Sequence, residues 1–262
     1  MIRQQPCKSC LISGSPSQGQ AFPLLHYGLF RGDNFGYFVQ TSASEVIAVD
    51  SPDGKFMLTV LRERGWQLKA LLLTHAHHDH VVDLGEVLTE TGCAFYKPAG
   101  LSGLPMGRAV QDGEVVEVEG LRVEVLETSG HSPMDLSYVF PELKLCFCGD
   151  SVFHNGCGRM FAGPASRFWH SLERLRALPD DFFLCCGHDY AADNALFRRQ
   201  LFPDLPQSDL PSRPHGPLSL ADQRQSNPFL NADDPVLAAA LGLSAAQPAE
   251  VFKKLRELRN QL

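Results

Sequence analysis

Short apolar runs broken by glycine, proline and aspartate predict alternating strands and helices along most of the chain. Phe35–Val39 and Val46–Val49 read as strands, the second ending at Asp50. Ser51-Pro52-Asp53-Gly54 reads as a turn. Lys55–Arg64 suits a helix stopped by Gly65, and Ala70–Leu73 suits a buried strand. A helix is expected over Val82–Glu90, stopped by Gly92. Val115–Val118 and Leu121–Leu126 flank Glu119-Gly120 as a hairpin. Leu136–Phe140 and Leu143–Cys148 flank Pro141-Glu142 as another. Ala165–Ala177 reads as a helix and Phe182–Cys186 as a strand. Residues 202–217 are rich in proline, serine and aspartate, as a linker would be. Helical stretches follow over Leu218–Gln225, Pro235–Leu241 and Ala249–Leu262. The expectation is an α/β sandwich with a small helical appendage.

Length and composition narrow this picture. The chain has 262 residues, 44% hydrophobic and 20% charged, an ordinary globular balance. Three segments are expected. They are a loosely packed or disordered tail over 1–20, a catalytic core over 21–190 and a helical substrate-binding domain over 191–262. The net charge of −7 argues against nucleic acid as a partner. No apolar run approaches the roughly 20 residues that span a bilayer, so no membrane association is expected. Met1–Gln20 lacks an apolar signal core, and a cytoplasmic location is expected. The eight cysteines are therefore read as free thiols. Cys7 and Cys10 have C-x-x-C spacing with no second pair beside them, and no function is assigned to them.

Candidate chemistry concentrates after the strand at Ala70–Leu73, where the chain reads Thr74-His75-Ala76-His77-His78-Asp79-His80. On an extended strand end, His75, His77 and Asp79 share parity, and His80 can swing across the turn. One segment could then serve two neighbouring metals, His75 and His77 on one, Asp79 and His80 on the other. Imidazole and carboxylate together suit zinc, iron or manganese, and the lack of thiolate argues against a closed structural zinc site. Further candidates recur in one pattern, an apolar strand, a glycine, then one ligand-type residue. They are Gly130-His131, Gly149-Asp150 and Gly187-His188. A lone histidine after a strand is ordinarily a hydrogen-bonded surface or core residue. The joint pattern points to a two-metal site. No G-x-S-x-G elbow offers covalent catalysis instead.

The T-H-A-H-H-D-H segment resembles the T-H-x-H-x-D-H signature of the metallo-β-lactamase superfamily. Gly130-His131, Gly149-Asp150 and Gly187-His188 follow in that family's order. The fold implied is an αββα sandwich with a small C-terminal α-helical domain. Within the superfamily the chain resembles glyoxalase II, the hydroxyacylglutathione hydrolases. The segments that carry this are Asp33-Asn34-Phe35-Gly36-Tyr37, Gly156-Cys157-Gly158-Arg159-Met160-Phe161, Cys186-Gly187-His188-Asp189-Tyr190 with Asn194 and Phe197, and Asn227-Pro228-Phe229-Leu230. Departures include Val82-Asp83 in place of Gly-Gly, Met134-Asp135 in place of Gly-His, and a shortened stretch over 201–217.

The resemblance implies that His75, His77 and His131 bind a first metal. Asp79, His80 and His188 would bind a second, with Asp150 bridging and Asp79 also orienting a hydroxide. Asp50 either holds a ligand histidine by a hydrogen bond or is a plain turn residue. Arg159, Phe161, Tyr190, Arg256 and Arg259 are implied substrate contacts. By spacing alone Arg256 and Arg259, beside Lys253 and Lys254, suit a solvated basic face equally. The implied reaction is hydrolysis of a glutathione thioester such as S-D-lactoylglutathione through a metal-bridging hydroxide, by a monomer or homodimer. Alternatives are hydrolysis of another thioester, a lactone or an ester, a mononuclear-iron persulfide dioxygenase, or a binding module that kept the fold.

Overall fold

The computed structural model describes residues 8–10, 22–203 and 216–261. Its strands begin with β1 (Lys8–Cys10), β2 (Leu24–Arg31), β3 (Asn34–Gln40) and β4 (Glu45–Val49), each antiparallel to the next. Helix α1 (Gly54–Arg64) then crosses to β5 (Gln67–Leu72), which runs parallel to β4. Asp53 caps α1 by accepting from the Phe56 amide at 2.9 Å. Gly65 ends it at φ 66, a left-handed conformation that favours glycine. Helix α2 (Leu84–Thr91) leads to β6 (Ala94–Pro98) and β7 (Arg108–Val110), which extend the same sheet in parallel. Phe38, Ala48, Met57, Leu61, Leu71 and Val87 form the core between this sheet and α1 and α2.

An antiparallel meander follows: β8 (Val115–Val118), β9 (Leu121–Glu127), β10 (Leu136–Phe140) and β11 (Leu145–Gly149). Tyr37 of β3 meets Phe147 of β11 edge-on at 5.4 Å, and both rings are buried. Tyr138 of β10 donates to the Leu73 carbonyl at 2.8 Å, and the Leu136 amide to the Thr74 carbonyl at 2.9 Å. The histidine segment is thus anchored where it leaves β5.

The remaining elements are the hairpin β12 (Val152–Phe153) and β13 (Gly156–Cys157), helix α3 (Ala165–Arg176), β14 (Phe183–Cys186) and α4 (Ala191–Leu201). They end with β15 (Leu218–Ser219), α5 (Leu220–Ser226), α6 (Pro235–Ala240) and α7 (Pro248–Arg259). Phe252 of α7 packs on Phe168 of α3 and on Phe229 at 5.3 and 6.3 Å. By contacts, the chain divides into two compact units. One is Met1–Glu127 with Leu136–Phe147, the other Thr128–Asp135 with Cys148–Leu262.

Several elements differ from the sequence reading. The helix expected from Val82 begins at Leu84, because Val82 is held by Ser51 and Gly54 and Asp83 sits at φ 52. The helix expected from Leu218 begins at Leu220, because Leu218 and Ser219 pair with Leu184 and Phe183. Strands β2, β6 and β7 and helix α4 have no counterpart in the expectation. Within the tail expected over 1–20, Lys8–Cys10 pairs with Leu25–Tyr27. The rest of that tail and residues 204–215 of the expected linker lie outside the described residues.

Candidate metal centre

Strand β5 ends at Leu72; the chain is still extended at His77, whereas Asp79 lies in a 3-10 turn where strand parity does not operate. The segment instead leaves the sheet irregularly and closes in a 3-10 turn over His78–His80. The rings of His75 and His77 lie 4.7 Å apart, and those of His75 and His80 lie 4.2 Å apart. His78, the fourth imidazole of the segment, is exposed. His80 Nε2 lies 3.9 Å from Asp79 Oδ2.

One carboxylate organises this cluster. Asp50, at φ 59, accepts from the Thr74 amide at 2.7 Å and the Thr74 hydroxyl at 2.8 Å. The same group meets His80 Nδ1 at 2.8 Å. With the carboxylate accepting there, His80 Nδ1 carries the proton and Nε2 presents its lone pair. Asn34 donates to Asp79 Oδ2 at 3.1 Å and to the Asp79 carbonyl at 3.4 Å, which fixes that carboxylate.

His131, Asp150 and His188 converge in the same way. The Gly187 amide donates to the Gly149 carbonyl at 2.8 Å, setting Asp150 beside His188. His131 Nε2 and His188 Nε2 each lie 3.4 Å from Asp150 Oδ2. His131 Nδ1 donates to the Arg159 carbonyl at 2.9 Å, which leaves Nε2 as the ring atom facing the carboxylate. The donor set, neutral imidazole and carboxylate, suits divalent metal ions.

The Gly156-Cys157-Gly158 loop is glycine-rich for want of space. A Cβ at Gly156 would strike the Asn194 amide. One at Gly158 would strike the Asp150 carbonyl and lie 2.8 Å from His131 Nδ1. Asn227 donates to the Gly156 carbonyl at 2.9 Å and Asn194 to the His154 carbonyl at 3.0 Å, so the later helices hold this loop. Arg256, only 5% exposed, donates to the Cys157 carbonyl at 2.8 Å and lies over the Phe229 ring. Arg259 donates through Nε to Asn194 at 3.0 Å. Burial and the neighbouring Arg256 guanidinium lower the Arg259 pKa, and Arg159 adds to the crowding of positive charge. Arg159 is exposed. Phe161 is 64% exposed, with its ring edge-on to His131 at 5.5 Å. Tyr190 stacks on His188 at 4.9 Å.

Residues 40–188 match the metallo-β-lactamase superfamily, and residues 189–262 match the hydroxyacylglutathione hydrolase C-terminus. A hydroxyacylglutathione hydrolase of Rhodopseudomonas palustris strain HaA2 is 38% identical over 241 residues, 87% of this chain and 94% of that one. The chain belongs to the hydroxyacylglutathione hydrolase family of the metallo-β-lactamase superfamily. A second family member, from Cereibacter sphaeroides strain ATCC 17029, is 36% identical over 242 residues, 87% of this chain and 95% of that one. Among solved structures, ETHE1 from Myxococcus xanthus matches with TM-score 0.66 at 24% identity, covering 88% of this chain and 89% of its own. TTHA1623 in a di-iron-bound form matches with TM-score 0.59 at 24% identity, covering 80% and 100%. The fold is therefore the metallo-β-lactamase fold with a helical C-terminal region.

Three residues at the candidate site were given no role in the sequence expectation. Thr74 gives Asp50 two of its bonds. Asn34 was quoted for resemblance but given no role; its contact with Asp79 spans 45 positions. Asp135 closes the loop that carries His131, accepting from the amides of Gly130 and Ser132. Burial, opposed by these hydrogen bonds and aided by the charge of Asp150, pushes the Asp135 carboxyl up to about 7.

Proposed function

We propose that the chain is a dinuclear-metal thioester hydrolase of the glyoxalase II type. It converts an S-(2-hydroxyacyl)glutathione, such as S-D-lactoylglutathione, into glutathione and the 2-hydroxy acid. The observation that carries this is the hydroxyacylglutathione hydrolase C-terminus over 189–262 in a chain that also bears the superfamily's histidine and aspartate donors. His75, His77 and His131 would hold a first ion, and Asp79, His80 and His188 a second, with Asp150 bridging. Seven donors suit two ions with positions left open for water and substrate. Zinc, iron and manganese all accept such ligands, and the di-iron form of TTHA1623 is an example of iron on this fold.

When bound, two such ions supply an acidified water and a polarised acyl carbonyl. The chain's own residues do the rest. Asp79, steadied by Asn34, orients the attacking water and receives its proton. The acyl C–S bond breaks as the new C–O bond forms, and the proton ends on the departing sulfur. A thiolate leaves without a strong general acid because a thiol has a pKa of about 8.5. Arg159, Arg256 and Arg259 bring positive charge for a glutathione carboxylate. Tyr190 and Phe161, packed on His188 and His131, offer a phenol and an apolar ring beside the donors. In this reading residues 21–190 carry the chemistry and 191–262 shape the substrate site, in a monomer or homodimer. A cytoplasmic, reducing location is supported by Cys93, Cys146, Cys148, Cys157, Cys185 and Cys186, which form no disulfide.

Steady-state rates with one acyl group on different thiols test the substrate assignment. The kcat/KM for S-D-lactoylglutathione should exceed that for lactoyl-coenzyme A by about 100-fold, the worth of two charge-assisted hydrogen bonds. Equal values, or a preference for coenzyme A, would overturn the glutathione assignment and leave the hydrolase intact.

A further inference from the structure

The loop Thr128–Asp135 carries His131, and a single carboxyl group closes it. Asp135 is 3% exposed. Its Oδ2 accepts from the Gly130 amide at 3.0 Å and from the Ser132 amide at 2.6 Å. These two residues flank His131. The Asp135 backbone takes part as well: its amide donates to Ser129 Oγ at 3.2 Å, and its carbonyl accepts from the Thr128 amide at 2.9 Å. Outside the loop, Ser171 Oγ donates to the Ser129 carbonyl at 2.7 Å and Ser151 Oγ to the Thr128 carbonyl at 3.1 Å. The imidazole is fixed at its other end by the Arg159 carbonyl. Gly130, at φ 148, presses on Phe168, where a Cβ would not fit.

The geometry points to Asp135 as a positioning residue: its carboxylate holds the backbone on both sides of His131 and so sets how tightly the first metal position binds. This rests on the two-metal reading above. The chemistry of the side chain matters to it. One carboxylate oxygen accepts two amide hydrogens at once, whereas a neutral imidazole nitrogen has one lone pair.

Competition titration with Zn2+ against a chromophoric chelator tests it, with the visible spectrum of the Co2+-loaded protein as a second readout. Wild type should bind two ions tightly. Asp135→Ala should lower one of the two affinities by about 10- to 100-fold, the usual effect of removing a ligand's support. The other affinity should stay within about threefold, and the Co2+ spectrum should change for one site only. Asp135→Asn keeps an oxygen that accepts both amides and should restore both affinities to within about threefold of wild type. Wild-type affinities and spectrum in Asp135→Ala would overturn the proposal. So would loss of both metals in Asp135→Asn together with loss of cooperative unfolding, which marks a merely structural role. A wild type that binds no second ion would overturn the two-metal reading itself, and this proposal with it.

Discussion

Asp50 shows how much one side chain can settle. It takes three hydrogen bonds at a positive φ, a conformation that aspartate and asparagine tolerate better than other non-glycine residues. Replacing it with alanine leaves the Thr74 amide and His80 Nδ1 without their acceptor in a buried setting. Metal affinity, measured by chelator competition, should fall by about 10- to 100-fold in Asp50→Ala. Asparagine can keep the Thr74 amide bond, so Asp50→Asn should lose less. The candidate donors were legible at this scale, because T-H-A-H-H-D-H and three glycine-preceded residues mark themselves. Asn34 and Asp135 were not. Their roles arise from contacts made only on folding, one of them 45 positions away, and no local pattern encodes them.

At the scale of elements, the chain uses turns rather than strands to aim its donors. The 3-10 turn over His78–His80 replaces the extended segment that alternation suggested, and it brings His80 against Asp50. The hairpin β12–β13 supplies the loop that abuts His131 and Asp150. Gly158→Ala should lower kcat/KM for the thioester by about 100-fold, since a displacement near 1 Å at a reacting group costs that much. Unchanged kinetics would show that the loop yields at no cost. Helix α7 is held to α3 by Phe252, a fully buried ring. Phe252→Ala should destabilise the protein by about 3–5 kcal/mol in urea unfolding. Helices α1, α3 and α7 were readable from apolar spacing and stop residues. Helix α4 buries the polar Asn194 and Arg198, which obscures its apolar face. Strands β6 and β7 are short and gain their place only by parallel addition to β5.

Across the whole molecule, two buried thiols and the buried Tyr138 phenol make a prediction about alkaline pH. Burial pushes Cys146 up to about 12 and Cys157 up to about 11, and it raises Tyr138 well above its ordinary value. A group whose pKa is higher in the folded chain favours folding fully below its unfolded pKa. That contribution is lost as pH rises toward the folded value. Stability should therefore fall from about pH 9 upward through the range set by these thiols, read as a declining urea midpoint. A midpoint constant to pH 11 would contradict this burial. Cys146, Cys148, Cys157, Cys185 and Cys186 should also resist alkylation until the protein unfolds, as peptide-resolved mass spectrometry would show. No helix among the described residues is long and apolar enough to cross a membrane. The α/β class was legible in the order of apolar runs. The separation into two contact units was not, because Thr128–Asp135 leaves the meander to join residues from Cys148 onward.

The proposed function is two-metal hydrolysis of a glutathione thioester. Its most direct test is to strip the protein with a chelator and titrate Zn2+ back while following S-D-lactoylglutathione hydrolysis. The stripped protein should show no turnover, and activity should rise and level off at two ions per chain. Turnover that persists without metal, or that never appears at two ions per chain, would contradict it.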